Sequence, residues 1–168
     1  LKYTADPQDK LPEITYWLLG SFTSASYPKI LIGCPLIVAG IIIIYLLRWR
    51  LNILSLSEDE AKASGLNLPR TRLIFILAST VITASAVSMC GQVGWIGLLI
   101  PHCARMLVGS NNRYVIPVSL SLGASFMILI DTLSRTISII ELPLSILTAI
   151  IGAPVFITLL NKNRSNFR

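Results

Sequence analysis

His102 is the sole histidine of the chain and sits in the run Pro101-His102-Cys103-Ala104-Arg105. An imidazole can move a proton near neutral pH, ligate a metal, or pack helices together through a hydrogen bond. A general base needs a nucleophile or an orienting carboxylate, and a metal site needs more ligands. No His/Ser/Asp or paired-carboxylate pattern stands beside His102, and one histidine builds no His-rich metal site. His102 is therefore read as a helix-packing hydrogen bonder with Arg105 on the same segment, and a membrane-embedded base is the alternative. Asp131 and Arg135 are four residues apart, which places them on one helix face. They form a local ion pair that secures a helix end or, alternatively, part of a proton relay. Cys34, Cys90 and Cys103 show no CxxC or Cys/His ligand spacing and read as small buried hydrophobes. No metal site is expected. No Gly-rich phosphate loop of Walker type occurs, so any ATP that drives this protein is bound by a partner.

The elements that position these residues follow from composition. The 168 residues are 54% hydrophobic and 13% charged, with a mean hydropathy of +0.73, which indicates an all-α polytopic membrane bundle. The apolar stretches are apolar nearly all round, so the polar face of a soluble bundle is missing. The net charge of +6 is accordingly a question of sidedness rather than a sign of nucleic acid. The chain opens on Leu1 with no signal pattern, and is read as one transmembrane region, residues 1–168, of a longer polypeptide.

In order, the run ITYWLLGSF is too short to cross a ~30 Å hydrocarbon core. It predicts a short interfacial or re-entrant helix, with Tyr16 and Trp17 at headgroup depth. Five crossings are expected: Pro28–Trp49, with Pro35 as a kink; Leu73–Met89, whose Ser79, Thr80, Thr83, Ser85 and Ser88 predict a bundle-interior position; a short protein-buried crossing over Trp95–Val108; Tyr114–Arg135; and Leu142–Leu160. Gly152, Ala153 and Pro154 are expected to break the helical ladder of the last span. The small-residue faces at Gly91, Gly94, Gly97, Ser145, Thr148, Gly152 and Pro154 predict a translocation path or gate, and close helix packing is the competing reading.

The longest polar interruption is Leu51–Arg72, LNILSLSEDEAKASGLNLPRTR. Ser57 and Glu60 have capping-box spacing, Gly65 stands where a helix end takes a left-handed residue, Asn67 caps the next helix and Pro69 occupies its first turn. The predicted element is a compact helical elbow with a helix over Glu58–Ser64. An ordinary solvated loop is the competing reading. Placing the elbow in the cytoplasm puts Arg48, Arg50, Lys62, Arg70, Arg72, Arg105, Arg113, Lys162, Arg164 and Arg168 inside. Only Lys2, Lys10, Lys29 and Arg135 then lie outside, so the positive-inside rule supports a cytoplasmic elbow and C-terminus.

The stretches ITYWLLGSF, SLSEDEAKASGLNLPRTR, GQVGWIGLLIPHCARMLVG, DTLSR and ELPLSILTAIIGAPVFITLL, in this order, resemble the FecCD/BtuC-type permeases. These are membrane subunits of bacterial and archaeal ABC importers for iron-siderophores, haem, vitamin B12 or oxyanions. Cys103 departs from the aliphatic residue usual at its place. The resemblance implies the C-terminal half of an inner-membrane permease that pairs with a second permease subunit. It also implies ATPase subunits that carry ATP and Mg, so that this chain needs no cofactor, and a substrate-binding protein docking from outside. It implies that the helical loop Ser55–Asn67 seats in the ATPase, through Ser57, Glu58, Asp59, Glu60, Ala61, Ser64, Gly65, Leu66 and Asn67. It further implies that Arg135 pairs with a glutamate of the binding protein. A secondary transporter, or an enzyme using His102, is the alternative to this function.

Overall fold

The computed structural model describes residues 10–22, 25–137 and 142–165. The side chains of Tyr16, Glu58 and Lys62 lie outside the described set, as do Lys2 and Arg168 altogether. All regular structure among the described residues is helical: α1 (Lys10–Leu19), α2 (Tyr27–Leu54), α3 (Glu58–Ala63), α4 (Leu68–Cys90), α5 (Ile96–Val108), α6 (Asn112–Ile137) and α7 (Leu144–Ser165). Three of them, α2, α4 and α6, are long and apolar enough to cross a membrane, whereas α5 and the apolar part of α7, Leu144–Thr158, are shorter.

Several boundaries move from where the sequence puts them. α2 continues past Arg48 and Arg50 to Leu54, since arginine is itself a good helix former and does not stop a helix. With α4 beginning at Leu68, the segment between the spans is Ser55–Asn67 rather than Leu51–Arg72. α6 gains residues at both ends. The expected break at Gly152, Ala153 and Pro154 is absent, because α7 is continuous from Leu144 to Ser165 with Pro154 inside it. A single proline removes one ladder bond and leaves the neighbouring turns to carry the helix. Pro101 is accommodated inside α5 in the same way.

α2 and α4 run antiparallel in close contact. A Cβ on Gly33 would collide with the Met89 side chain, and one on Gly40 would lie 2.5 Å from Ile82 Cγ1 and 3.2 Å from the Ala78 carbonyl oxygen. Lipid chains are as apolar as leucine, so burial alone gives these helices little reason to associate; close backbone approach over small residues does. Ala78 and Ser85 are buried on this seam. Ser79, Thr80, Thr83 and Ser88 are exposed instead, so the expected interior position of α4 holds for one face only. α6 packs on α2, α5 and α7, and Ile130, Leu144 and Leu147 form a buried cluster lined by Phe22, Val93, Phe126 and Ile151. Cys34 is exposed and Cys90 and Cys103 are half-buried, so the expectation of three buried cysteines fails at Cys34.

Candidate functional site

At one end of the bundle the elbow is built as its spacing requires. Glu60 Oε2 accepts from the Ser57 amide at 3.2 Å and from the Ser57 hydroxyl at 2.8 Å. The carboxylate thus reaches back across the first turn of α3 and satisfies an orphan donor. Gly65 has φ +74°, a conformation that glycine adopts without steric penalty, and it ends the turn that leads to Asn67. Asn67 Oδ1 then accepts from the Arg70 amide at 3.2 Å, and Pro69 occupies the first turn of α4. The segment is therefore capped on both sides, with no long unsupported stretch between two helices that span the bundle.

The elbow's surface differs from the expected one at a single residue. Asp59, Glu60, Ala63, Ser64, Gly65 and Asn67 are exposed and Leu66 is half-buried. Ala61 is 2% exposed. It is therefore covered by its own chain. Leu56, just before α3, is 51% exposed and adds a large apolar side chain to the elbow's surface.

Asn52 was also passed over. Its Nδ2 donates to Asn111 Oδ1 at 2.8 Å, and its Oδ1 accepts from the Asn112 amide at 2.8 Å. Its carbonyl accepts from the Ser55 hydroxyl at 2.7 Å, at the base of the elbow. The available signal was a carboxamide one turn inside the end of an apolar helix, where only a specific partner justifies it.

At the opposite end, the end of α1, the α4–α5 turn and the start of α7 meet. The Ser21 amide donates to the Cys90 carbonyl at 3.0 Å and the Leu144 amide to the Gly20 carbonyl at 2.9 Å. The Ser145 hydroxyl lies 2.5 Å from the Leu19 carbonyl oxygen and 2.8 Å from that of Gln92. These bonds give the non-helical backbone between the helices partners in place of water. Gly20 and Gly91, at φ +75° and +73°, cross so closely that a Cβ on Gly91 would run into the Trp17 carbonyl oxygen. Thr148 is fully buried, and a Cβ on Gly152 would stand 3.2 Å from Trp95 Cβ, which is close helix packing. Gly94 and Gly97 face open space, and Pro154 is exposed. The expected path residues thus divide into a packed group and an open group. Trp95, expected to begin the α5 helix, instead precedes it at φ +66°, a backbone conformation that is unfavourable for a bulky residue.

Arg135 Nε contacts both oxygens of Asp131 at 3.1 Å on α6, which is the expected ion pair. His102 lies edge-on to Phe156 with ring centroids 6.0 Å apart. Its Nε2 is buried with no hydrogen-bond partner among the described residues, so that nitrogen makes neither the expected packing bond nor contact with a group it could activate. Arg105 is exposed in the last turn of α5.

The sequence model of the FecCD transport family matches residues 1–162. The chain belongs to the FecCD transport family. Among FecCD relatives, the molybdate import system permease protein of Haemophilus influenzae is 44% identical over 163 residues, covering 96% of this chain and 48% of the relative. The "Probable iron chelatin transport system permease protein" of Helicobacter pylori is 41% identical over 164 residues, covering 98% and 50%. This chain therefore spans about half the length of the curated relatives it matches. A solved structure of a metal-chelate type ABC transporter in an inward-facing conformation superposes with a TM-score of 0.90 at 43% identity, covering 96% of this chain and 52% of the other.

Proposed function

We propose that this chain forms part of the membrane permease of an ATP-driven importer, with a metal chelate or an oxyanion as substrate. The observation that carries this reading is the fold shared over nearly the whole chain with a metal-chelate type ABC transporter. The assignment is tested by reconstituting the permease with its ATPase and binding protein in vesicles and measuring ATP-dependent uptake of a ferric chelate, haem, cobalamin and molybdate. Accumulation of one of these only with ATP supports it. Uptake driven by an ion gradient without ATP overturns it in favour of a secondary transporter.

In this proposal five helices cross the membrane. Three of them have the length, and the hydrogen bonds at the two ends support two more. Gln92, at the start of the α4–α5 turn, bonds at the end where α1 finishes and α7 begins, while Asn111, just beyond α5, bonds at the elbow end. α5, about 20 Å long at 1.5 Å per residue, thus runs from one end toward the other with its flanking turns completing the span, and α7 returns toward the elbow end. The elbow and the C-terminus face the cytoplasm of a bacterial or archaeal cell, as the Lys/Arg distribution indicates. The residues Leu56 to Glu60, together with Ala63 to Asn67, meet an ATPase subunit that binds ATP and Mg. A second permease subunit completes the membrane unit, and the whole of residues 1–168 acts as one half of a longer permease.

The proposed path runs along the open group, Gly94, Gly97 and Pro154, with Gly91, Ser145, Thr148 and Gly152 as the packed wall behind it. With Cys34, Cys90 and Cys103 replaced, a cysteine at Gly97 reacts with a water-soluble thiol reagent in the assembled transporter and a cysteine at Thr148 does not. Equal reactivity at both positions would place the path on the α7 face instead.

Arg135, at the outer end of α6, is proposed to receive a carboxylate of the binding protein while Asp131 holds it from behind. A planar guanidinium suits carboxylate capture, and an exposed contact of this kind acts mainly on association rate. Arg135→Glu slows binding-protein association by about tenfold at low ionic strength, and the difference shrinks as salt is raised. Identical association rates for wild type and variant at low salt would remove the docking role from Arg135.

A further inference from the structure

We propose that Asn52 is a positioning residue that joins the elbow to α6, so that α6 carries motion of the elbow to the outer face. This rests on the reading of the elbow as the ATPase contact. α6 begins with no acidic residue in its first turn, yet each of its first amides has an acceptor. The Asn112 amide bonds to Asn52 Oδ1 at 2.8 Å and the Arg113 amide to Asn111 Oδ1 at 3.0 Å. The Tyr114 and Val115 amides both bond to the Asn111 carbonyl at 3.0 Å. One of the orphan donors of the α6 N-terminus is thus satisfied by a side chain of another helix.

The contact is a two-point grip. The carboxamide of Asn52 donates to Asn111 and accepts from Asn112, so both the distance and the rotation of α6 about that point are specified. Asn52 also stands where α2 gives way to the elbow, with its own carbonyl holding the Ser55 hydroxyl. Within the wider packing of α2 on α6, Asn52 is thus the hydrogen-bonded point at which a displacement of the elbow reaches the first turn of α6. α6 is 26 residues long, about 39 Å at 1.5 Å per residue, and carries Asp131 and Arg135 near its far end. A single rigid element then connects the proposed ATPase contact with the proposed docking point of the binding protein. Such a connection satisfies the requirement that coupling pass through an element both sites bias.

The test uses the complete transporter in vesicles and reads substrate imported per ATP hydrolysed, a ratio that loss of folded protein alone does not change. Asn52→Ala and Asn111→Ala each lower the ratio by at least about fivefold, the small end of allosteric coupling, and the double variant is no lower than either. Asn52→Asp keeps the acceptor for the Asn112 amide, loses the donor to Asn111, and gives an intermediate ratio. Should Asn52→Ala not assemble, Asn52→Asp carries the same test with the same criteria. Gly65→Pro is measured alongside. A normal ratio in the Asn52 variants with a low ratio in Gly65→Pro overturns this proposal and leaves the elbow reading standing. A normal ratio in Gly65→Pro overturns the elbow reading itself. A low ratio in both asparagine variants that falls further in the double variant shows that the two residues act separately, and overturns the grip.

Discussion

A transporter carrying Gly65→Pro is expected to insert in the membrane and to import no substrate above background. Gly65 holds φ +74°, whereas the pyrrolidine ring holds φ near about −65°, so the turn between α3 and Asn67 cannot re-form around proline. The two caps on either side, Ser57 with Glu60 and Asn67 with Arg70, then no longer share one geometry, and the elbow gives way under load instead of transmitting it. Gly65→Ala separates backbone strain from crowding. Nothing lies within 4 Å of the place its Cβ would occupy, so it suffers only the left-handed penalty of ~1–2 kcal/mol. If that penalty falls on the coupling step, uptake drops by about tenfold, and the order wild type, Gly65→Ala, Gly65→Pro is the expected ranking of uptake rates. Ala61→Arg is expected to fail differently. Because Ala61 is buried in its own chain, the arginine dislodges α3 and lowers the amount of folded permease.

Gly91→Ala is expected to prevent correct assembly of the bundle. Two terms add at this position: the positive φ of +73°, and a Cβ driven into the Trp17 carbonyl oxygen with the Gly20 Cα 3.2 Å away. Neither obstacle is the end of a flexible side chain, so the α1 end and the α4–α5 turn must part. Their separation exposes the Cys90, Gly20 and Gln92 carbonyls, whose partners are the Ser21 amide, the Leu144 amide and the Ser145 hydroxyl. An unsatisfied backbone group in a membrane interior costs several kcal/mol, which is comparable with the whole stability of a domain. The check is thermal unfolding in detergent with Gly109→Ala as control, since Gly109 has φ +78° and open space around its Cβ. Gly109→Ala melts a few degrees below wild type, while Gly91→Ala yields little folded protein.

Local chemistry explains which features the sequence made legible. The capping box at Ser57, the left-handed Gly65, the Asn67 cap and the Asp131–Arg135 pair all lie within four residues of their partners, so spacing alone specifies them. The apolar runs located the long helices α2, α4, α6 and α7, because a helix in lipid must satisfy its own backbone, whereas α3 was located by its cap. The helix ends were less legible. Arg48 and Arg50 looked like a stop, and Gly152 with Pro154 looked like a break, yet α2 runs through the first because arginine is a good helix former and α7 through the second because one proline removes a single ladder bond. What stayed hidden were contacts between distant segments. Nothing in the residues near Asn52 names Asn111, and nothing near Gly91 names Trp17; those pairings exist only once the helices are in place. Exposure was hidden for the same reason: Ala61 and Leu56 are both apolar elbow residues, and only the fold assigns one to the interior and the other to the surface.

The proposed contact between the elbow and an ATPase subunit decides both the site and the orientation of the bundle. Its most direct test is site-specific crosslinking in the purified transporter, with a photoactivatable side chain placed at Asp59, at Ala63 and, as a control at the other end of the bundle, at Thr136. Crosslinks to the ATPase subunit are expected from Asp59 and Ala63, and none from Thr136. Crosslinks to the ATPase from Thr136 with none from the elbow positions would contradict both the site and the orientation of the bundle.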